Sequence, residues 1–207
     1  MAMPTEMPIV QASKNQCLEI DAAIDEAILA DFDEQTQVLW LQAIAAVAQA
    51  LSTYLSVTTD QQPGVIGSKL QASVLVSSNE RVRELNAAYR GQDKPTNVLS
   101  FPSPDEFPFN GTPGNADIGQ CEVEPRHIGD CILARDVLKK EAAEHDKPVV
   151  HHLQHLVVHG ILHLMGYDHE TSDADAEEME ALETAILSGL GIANPYEDSH
   201  AVRVRLE

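Results

Sequence analysis

Positive charge is scarce in this chain: 13 lysines and arginines stand against 33 aspartates and glutamates, a net charge of −20. That excludes a broad basic surface of the kind that holds nucleic acid by counterion release. The deficit is uneven. Residues 1–62 carry nine acids and one base, Lys14, and residues 170–198 carry nine acids and no base. Between Ile66 and Pro102 the balance reverses, with Lys69, Arg81, Arg83, Arg90 and Lys94 outnumbering Glu80, Glu84 and Asp93. Any anion is expected there. Cysteine is scarce as well. Cys17, Cys121 and Cys131 are odd in number, far apart and without a C-x-x-C pair, which excludes a disulfide framework and a thiolate zinc site and suits a reducing compartment. The first residues, Met1 to Lys14, lack the basic segment and apolar run of a secretory signal, and no apolar stretch is expected to reach the ~20 residues of a membrane span. The expectation is a soluble, cytoplasmic protein that meets no membrane.

Histidine is what the chain has in quantity. His159, His163 and His169 fall within eleven residues, His159-Gly160-Ile161-Leu162-His163-Leu164-Met165-Gly166-Tyr167-Asp168-His169. On a helix His159 and His163 project from one face, about 6 Å apart along the axis, close enough to share one ion. Gly166 can take the left-handed conformation that ends a helix, and the returning chain brings His169 back as a third ligand. Three imidazoles leave a fourth tetrahedral position open. The spacing matches the metzincin pattern of histidines at positions one, five and eleven with glycine at eight. The glutamate that serves such peptidases as general base is absent, and Gly160 stands in its place. His155 is also four residues from His159, so spacing alone allows a shifted pair; Gly166 and His169 favour the downstream set. His155 reads as a packing group or a partner behind a ligand, His151 and His152 as surface, and His127, His145 and His200 remain unassigned.

At 207 residues with 43% hydrophobic content, the chain is long enough for one domain with a proper core, but not for two. Residues 1–14 read as a disordered tail, 15–196 as a single domain, and 197–207 as a C-terminal tail. Gln16 to Ile24 predicts a strand. Val38, Leu41, Ile44, Ala45, Ala48, Leu51 and Leu55 recur at helical spacing and predict a long helix from Glu34 to Leu55 packed on a sheet. Ala72–Ser77, Thr96–Phe101 and Ile128–Ala134 predict strands. Helices are expected from the Ser78 N-cap to about Tyr89, from Arg135 to His145, from Pro148 to Leu164 with proline in the first turn, and from Ser172 or Asp173 to about Leu187. The last should bury Met179, Leu182 and Ile186. Residues 103–125, with four prolines and three glycines, predict a long loop. Strands and helices do not alternate regularly, so the fold class is α+β with a small mixed sheet packed with helices.

The histidine segment resembles the signature H-G-x-L-H-L-x-G-Y-D-H of the YbeY family of bacterial metallo-endoribonucleases, with Ile161 and Met165 at its two loose positions. A second block, Asn86-Ala87-Ala88-Tyr89-Arg90-Gly91-Gln92-Asp93-Lys94-Pro95-Thr96-Asn97-Val98-Leu99-Ser100-Phe101-Pro102, resembles that family's arginine loop and following strand. Ile128-Gly129-Asp130 and Glu177-Glu178-Met179-Glu180 fit too, so the likeness runs from about residue 72 to 196. Cys131 departs from the aliphatic residue usual there, and the 103–125 loop is enlarged. The resemblance implies a mixed sheet of about four strands, one zinc ion per chain on His159, His163 and His169, and a functional basic residue at Arg90. It further implies single-stranded RNA as substrate, a role in 16S rRNA 3′-end maturation and ribosome quality control, and the 16S precursor and small ribosomal subunit or its basic proteins as partners, with no DNA. Zinc would act as Lewis acid and lower the pKa of its water from about 15.7 to about 7, and Arg90 would meet phosphate oxygens. The plainer reading of Arg90 is a surface salt bridge with Asp93 or Glu84. Asp168, beside the third histidine, either orients an imidazole, the commoner use of such a carboxylate, or handles a proton. Two other functions stay open: a ribosome-assembly factor with a structural zinc, and a metzincin-like metallopeptidase, the latter disfavoured by Gly160.

Overall fold

The computed structural model describes residues 17–59, 69–104, 125–169 and 171–196, with residues 56–59 described by their backbone alone. The expected tails at 1–14 and 197–207 and nearly all of the 103–125 loop lie outside these residues. Along the chain run β1 (Leu18–Ile24), α1 (Glu26–Leu29), α2 (Glu34–Thr59), β2 (Leu70–Ser77), α3 (Asn79–Arg90), β3 (Val98–Pro102), β4 (Arg126–Ala134), α4 (Arg135–Glu144), α5 (Val149–Leu164) and α6 (Asp173–Gly189). Every expected strand and helix is present. α1 is an addition, a single turn whose N-cap Asp25 accepts from the Ala27 amide at 3.0 Å and which is too short to leave a periodic signal.

The strands form one sheet in the order β1-β2-β4-β3, parallel between β1, β2 and β4 and antiparallel between β4 and β3. The fold is therefore α+β around a mixed four-stranded sheet, as the irregular alternation of strands and helices predicts. Parallel neighbours need a crossover, and α2 supplies it between β1 and β2. A buried serine ties that helix to the edge strand: the Leu18 amide donates to Ser52 Oγ at 3.0 Å, and the hydroxyl donates to the Leu18 carbonyl at 3.3 Å.

The side of α2 turned inward shares Ile44, Ala48 and Leu51 with the expected stripe and departs from it elsewhere. Trp40, Ala43, Ile44, Val47, Ala48 and Leu51 are buried, whereas Val38 is exposed. The helix is so rich in alanine and leucine that several stripes satisfy a 3.6-residue period, and packing selects one. For the same reason Glu34–Leu55 has the length and composition of a membrane span, contrary to the sequence expectation. Its inner face belongs to the main hydrophobic core, which makes it a core helix.

The helix that crosses the middle of the core is α5. Leu153, Leu156, Val157, Val158, Ile161, Leu162 and Leu164 are all buried, each burial worth about 1.5–3 kcal/mol before the entropy of ordering is counted. It lies on β3 and β4 between α2, α4 and α6, and Gln154 Nε2 donates to the Ala43 carbonyl of α2 at 3.2 Å. Pro148 is its N-cap and lies one residue before the expected first turn.

Where α5 ends over the sheet, β4 bulges. The pairing with β2 jumps from Gln71–His127 to Ala72–Gly129, leaving Ile128 as the extra residue. Gly129 has φ 139°, and a Cβ there would strike the Phe101 carbonyl oxygen and lie 2.9 Å from Leu164 Cδ2. Gly129→Ala is expected to lower unfolding stability by about 3 kcal/mol, read as a lower urea midpoint at unchanged slope. A midpoint equal to wild type would contradict the close approach.

Candidate metal centre

His159 and His163 lie on the strip of α5 that the neighbouring elements leave partly uncovered, with Nε2 atoms 3.1 Å apart. The helix closes at Met165, and Gly166 turns the chain at φ 92°. The Tyr167 amide then donates to the Leu162 carbonyl at 3.1 Å. This tight reversal brings the His169 ring 5.2 Å from that of His159 and 5.1 Å from that of His163. One ligand atom from each ring lies within 4.8 Å of the other two. The downstream set of three is the one assembled. His155 turns away from it.

The hydrogen bonds behind the rings fix their tautomers. His159 Nδ1 donates to Glu183 Oε1 at 2.8 Å, and His163 Nδ1 donates to the Tyr167 carbonyl at 2.9 Å. A carbonyl and an ionised carboxylate can only accept, so in the neutral rings both Nε2 atoms carry lone pairs. Those lone pairs face one another at 3.1 Å, a repulsive arrangement that a shared cation makes attractive. A tetrahedral ion with bonds of about 2.0–2.1 Å sets its ligands about 3.3 Å apart. The His159 and His163 nitrogens are close to that spacing, and the His169 nitrogen lies within 4.8 Å of both. Burial first, and then the neighbouring His159, hold the His163 pKa below the ordinary imidazole value, which keeps its lone pair available.

Glu183, on α6, is 1% exposed. Its Oε2 accepts from His155 Nε2 at 2.8 Å and from the Tyr196 hydroxyl at 2.5 Å. Burial pushes this carboxyl up, but the hydrogen bonds from His155 and His159 outweigh it and bring the pKa down to about 2. Tyr196 is pushed up by its own burial and by the charge of Glu183. The carboxylate that backs His159 is thus Glu183, while Asp168 lines the cleft. Its signal in the sequence is an acid at the fourth position after Met179 and the third before Ile186, in the middle of the face α6 buries.

His152, expected at the surface, is buried, because its helix turns it toward α4. Its Nε2 meets Glu141 Oε2 at 2.9 Å, and the same carboxylate accepts from Asn97 Nδ2 at 3.1 and 3.3 Å. Burial holds the His152 pKa low. His151, His145 and His127 are exposed, and His200 lies outside the described residues.

Arg90, the last residue of α3, lines an open cleft of about 550 Å³ together with the three histidines, Asn97 and Asp168. The salt bridges considered for it are made by its neighbours: Arg83 meets Asp93 at 3.2 Å and Arg81 meets Glu84 at 3.8 Å. Among the described residues no carboxylate pairs with Arg90. The turn after it is held from below, where buried Asn86 donates to the Lys94 carbonyl at 2.7 Å.

Residues 31–191 match the family described as Endoribonuclease YbeY. The chain belongs to that family. Endoribonuclease YbeY of Magnetococcus marinus is 53% identical over 127 residues, 61% of this chain and 83% of that protein. Endoribonuclease YbeY of Rhodopseudomonas palustris strain HaA2 is 49% identical over 132 residues, 64% of either chain, so the match spans just under two thirds of that longer relative. The solution structure of TM1509 from Thermotoga maritima covers 83% of this chain and 91% of its own at 22% identity with a TM-score of 0.39, a likeness too low to carry an argument. The family match begins well before residue 72, where the legible resemblance starts, and takes in α2.

Family membership agrees with the geometry at position 160. Ser100 Oγ donates to the Gly160 carbonyl at 3.1 Å, and a Cβ on Gly160 would stand 2.9 Å from Cys131 Sγ. The position that carries a metzincin's base here faces the sheet, in a gap with no room for a side chain. Gly160→Glu is therefore expected to lose about 3 kcal/mol or more of stability and to gain no peptide hydrolysis, checked by urea unfolding and by digestion of a peptide library. A stable, metal-dependent peptidase would show that this face opens to the cleft.

Proposed function

We propose that this chain is a single-strand-specific, zinc-dependent endoribonuclease that acts in 16S rRNA 3′-end maturation and ribosome quality control in the cytoplasm, with residues 15–196 as its one catalytic domain. The observation that carries the reading is that the three clustered imidazoles and Arg90 line one cleft. His159, His163 and His169 would hold the ion. Zinc held there would supply a Lewis acid for the phosphodiester and would lower the pKa of a water toward about 7.

The protein's own groups do the rest. Arg90 presents a planar fork that donates to two phosphate oxygens as charge builds on them. Arg90 is the only lysine or arginine among the described residues that line the cleft, which suits one strand's phosphodiester better than the two backbones of a duplex. With a net charge of −20, affinity for RNA cannot rest on a basic surface, and the acidic exterior suits contact with basic proteins of the small ribosomal subunit.

Arg90 separates this function from a ribosome-assembly factor that holds a structural zinc. Arg90→Glu is expected to keep wild-type metal content and melting temperature while abolishing cleavage of labelled single-stranded RNA. Arg90→Lys keeps the charge without the fork and is expected to lose about 10²–10³ in rate. Normal cleavage by Arg90→Glu would remove Arg90 from the chemistry, and unfolding would make it a structural residue.

A further inference from the structure

We propose that Glu183 is a positioning residue of the metal centre, held behind His159 by a clamp of His155 and Tyr196, and that this arrangement sets the affinity of the site for its ion. The inference rests on the reading of His159, His163 and His169 as metal ligands and names what tunes them. Glu183 uses its two oxygens differently. Oε1 takes the proton-bearing Nδ1 of His159 at 2.8 Å, while Oε2 is gripped from the other side by His155 Nε2 at 2.8 Å and by Tyr196. Tyr196 is itself located, since its amide donates to Asn194 Oδ1 at 2.9 Å and that oxygen also accepts from Thr184 Oγ1 of α6 at 3.2 Å. A carboxylate held by three donors cannot rotate away from His159 without breaking all of them.

The three clustered imidazoles are therefore supported unequally. His159 has a buried anion behind it, His163 has a neutral backbone carbonyl, and His169 lies exposed on the turn. A carboxylate raises the basicity of the imidazole it accepts from and fixes the orientation of the ring. His159 is thus the anchored arm of the site. His155, one turn earlier on the same helix, is held by the same carboxylate and serves as part of the clamp.

The test titrates metal-free protein with Co(II), reading the visible absorption band and obtaining affinity by competition with a chromophoric chelator, with far-UV circular dichroism as the check on folding. Glu183→Gln keeps the volume and replaces the anion by an amide, and is expected to weaken Co(II) binding by about 10–100-fold and to shift the band. Tyr196→Phe removes one donor from the far oxygen and is expected to weaken binding by about two- to tenfold. Wild-type affinity in a folded Glu183→Gln protein overturns the proposal. Should Glu183→Gln fail to fold, Tyr196→Phe and His155→Gln decide it: weaker Co(II) binding with an unchanged melting temperature of the metal-free form supports the clamp, and unchanged binding overturns it. If wild-type protein gives no Co(II) band at all, the metal reading falls and the proposal with it.

Discussion

The close approach of α5 to the sheet at Gly160 is the constraint on which the rest of the molecule depends. With no side chain at 160, helix backbone meets Ser100 and Cys131 directly, and Ser100 clasps the Gly160 carbonyl. The helix is then sealed on its other sides by α2, α4 and α6, so the strip it can still offer to ligands is narrow. His159 and His163 occupy that strip. Because their backbone is part of the core, their separation is set by packing, and an ion that binds them meets a site already shaped. The turn at Gly166 adds the third imidazole and, through the Tyr167 carbonyl, also the acceptor that orients His163. One short reversal therefore supplies both a ligand and the support of another.

Charge is distributed to the same end. A chain with a net charge of −20 is poorly suited to hold a polyanion, and between residues 66 and 102 its local balance of charge turns positive. Arg81 and Arg83 of that stretch are engaged with Glu84 and Asp93, and Arg90 lines the cleft. The three histidines line the same cleft, and a divalent ion held by them would add positive charge there. On the proposed function a phosphate in transition would meet Arg90 in this cleft, and the buried Glu183 is not among the residues that line it.

Much of this was legible in the sequence because it is local. The helical spacing of His159 and His163, the glycine exit and His169 form one segment, and the Ser78 and Ser172 caps are read from single residues. What was not legible depends on elements distant in sequence. The order β1-β2-β4-β3 follows from tertiary packing. Glu183 lies 24 residues from His159, and only its place on a buried helical face marks it. Asp168 was the carboxylate the sequence singled out because it is adjacent to His169 in the chain, and it lines the cleft. His152 looked exposed because polarity was all the sequence offered, and its burial depends on Glu141 from α4 and Asn97 from the loop before β3. The apolar stripe of α2 was placed in part, at Ile44, Ala48 and Leu51, because alanine fits either face of a helix and leaves the rest of the stripe open.

The central claim is that the lone pairs of His159 and His163, together with His169, exist to hold one metal ion. Anomalous scattering from crystals of zinc-loaded protein tests it most directly. The account predicts one strong peak per chain, about 2.0–2.1 Å from a nitrogen of each of His159, His163 and His169 and open on the side toward Arg90. A peak bound by His155 or by a cysteine, or none in the cleft at all, would contradict it.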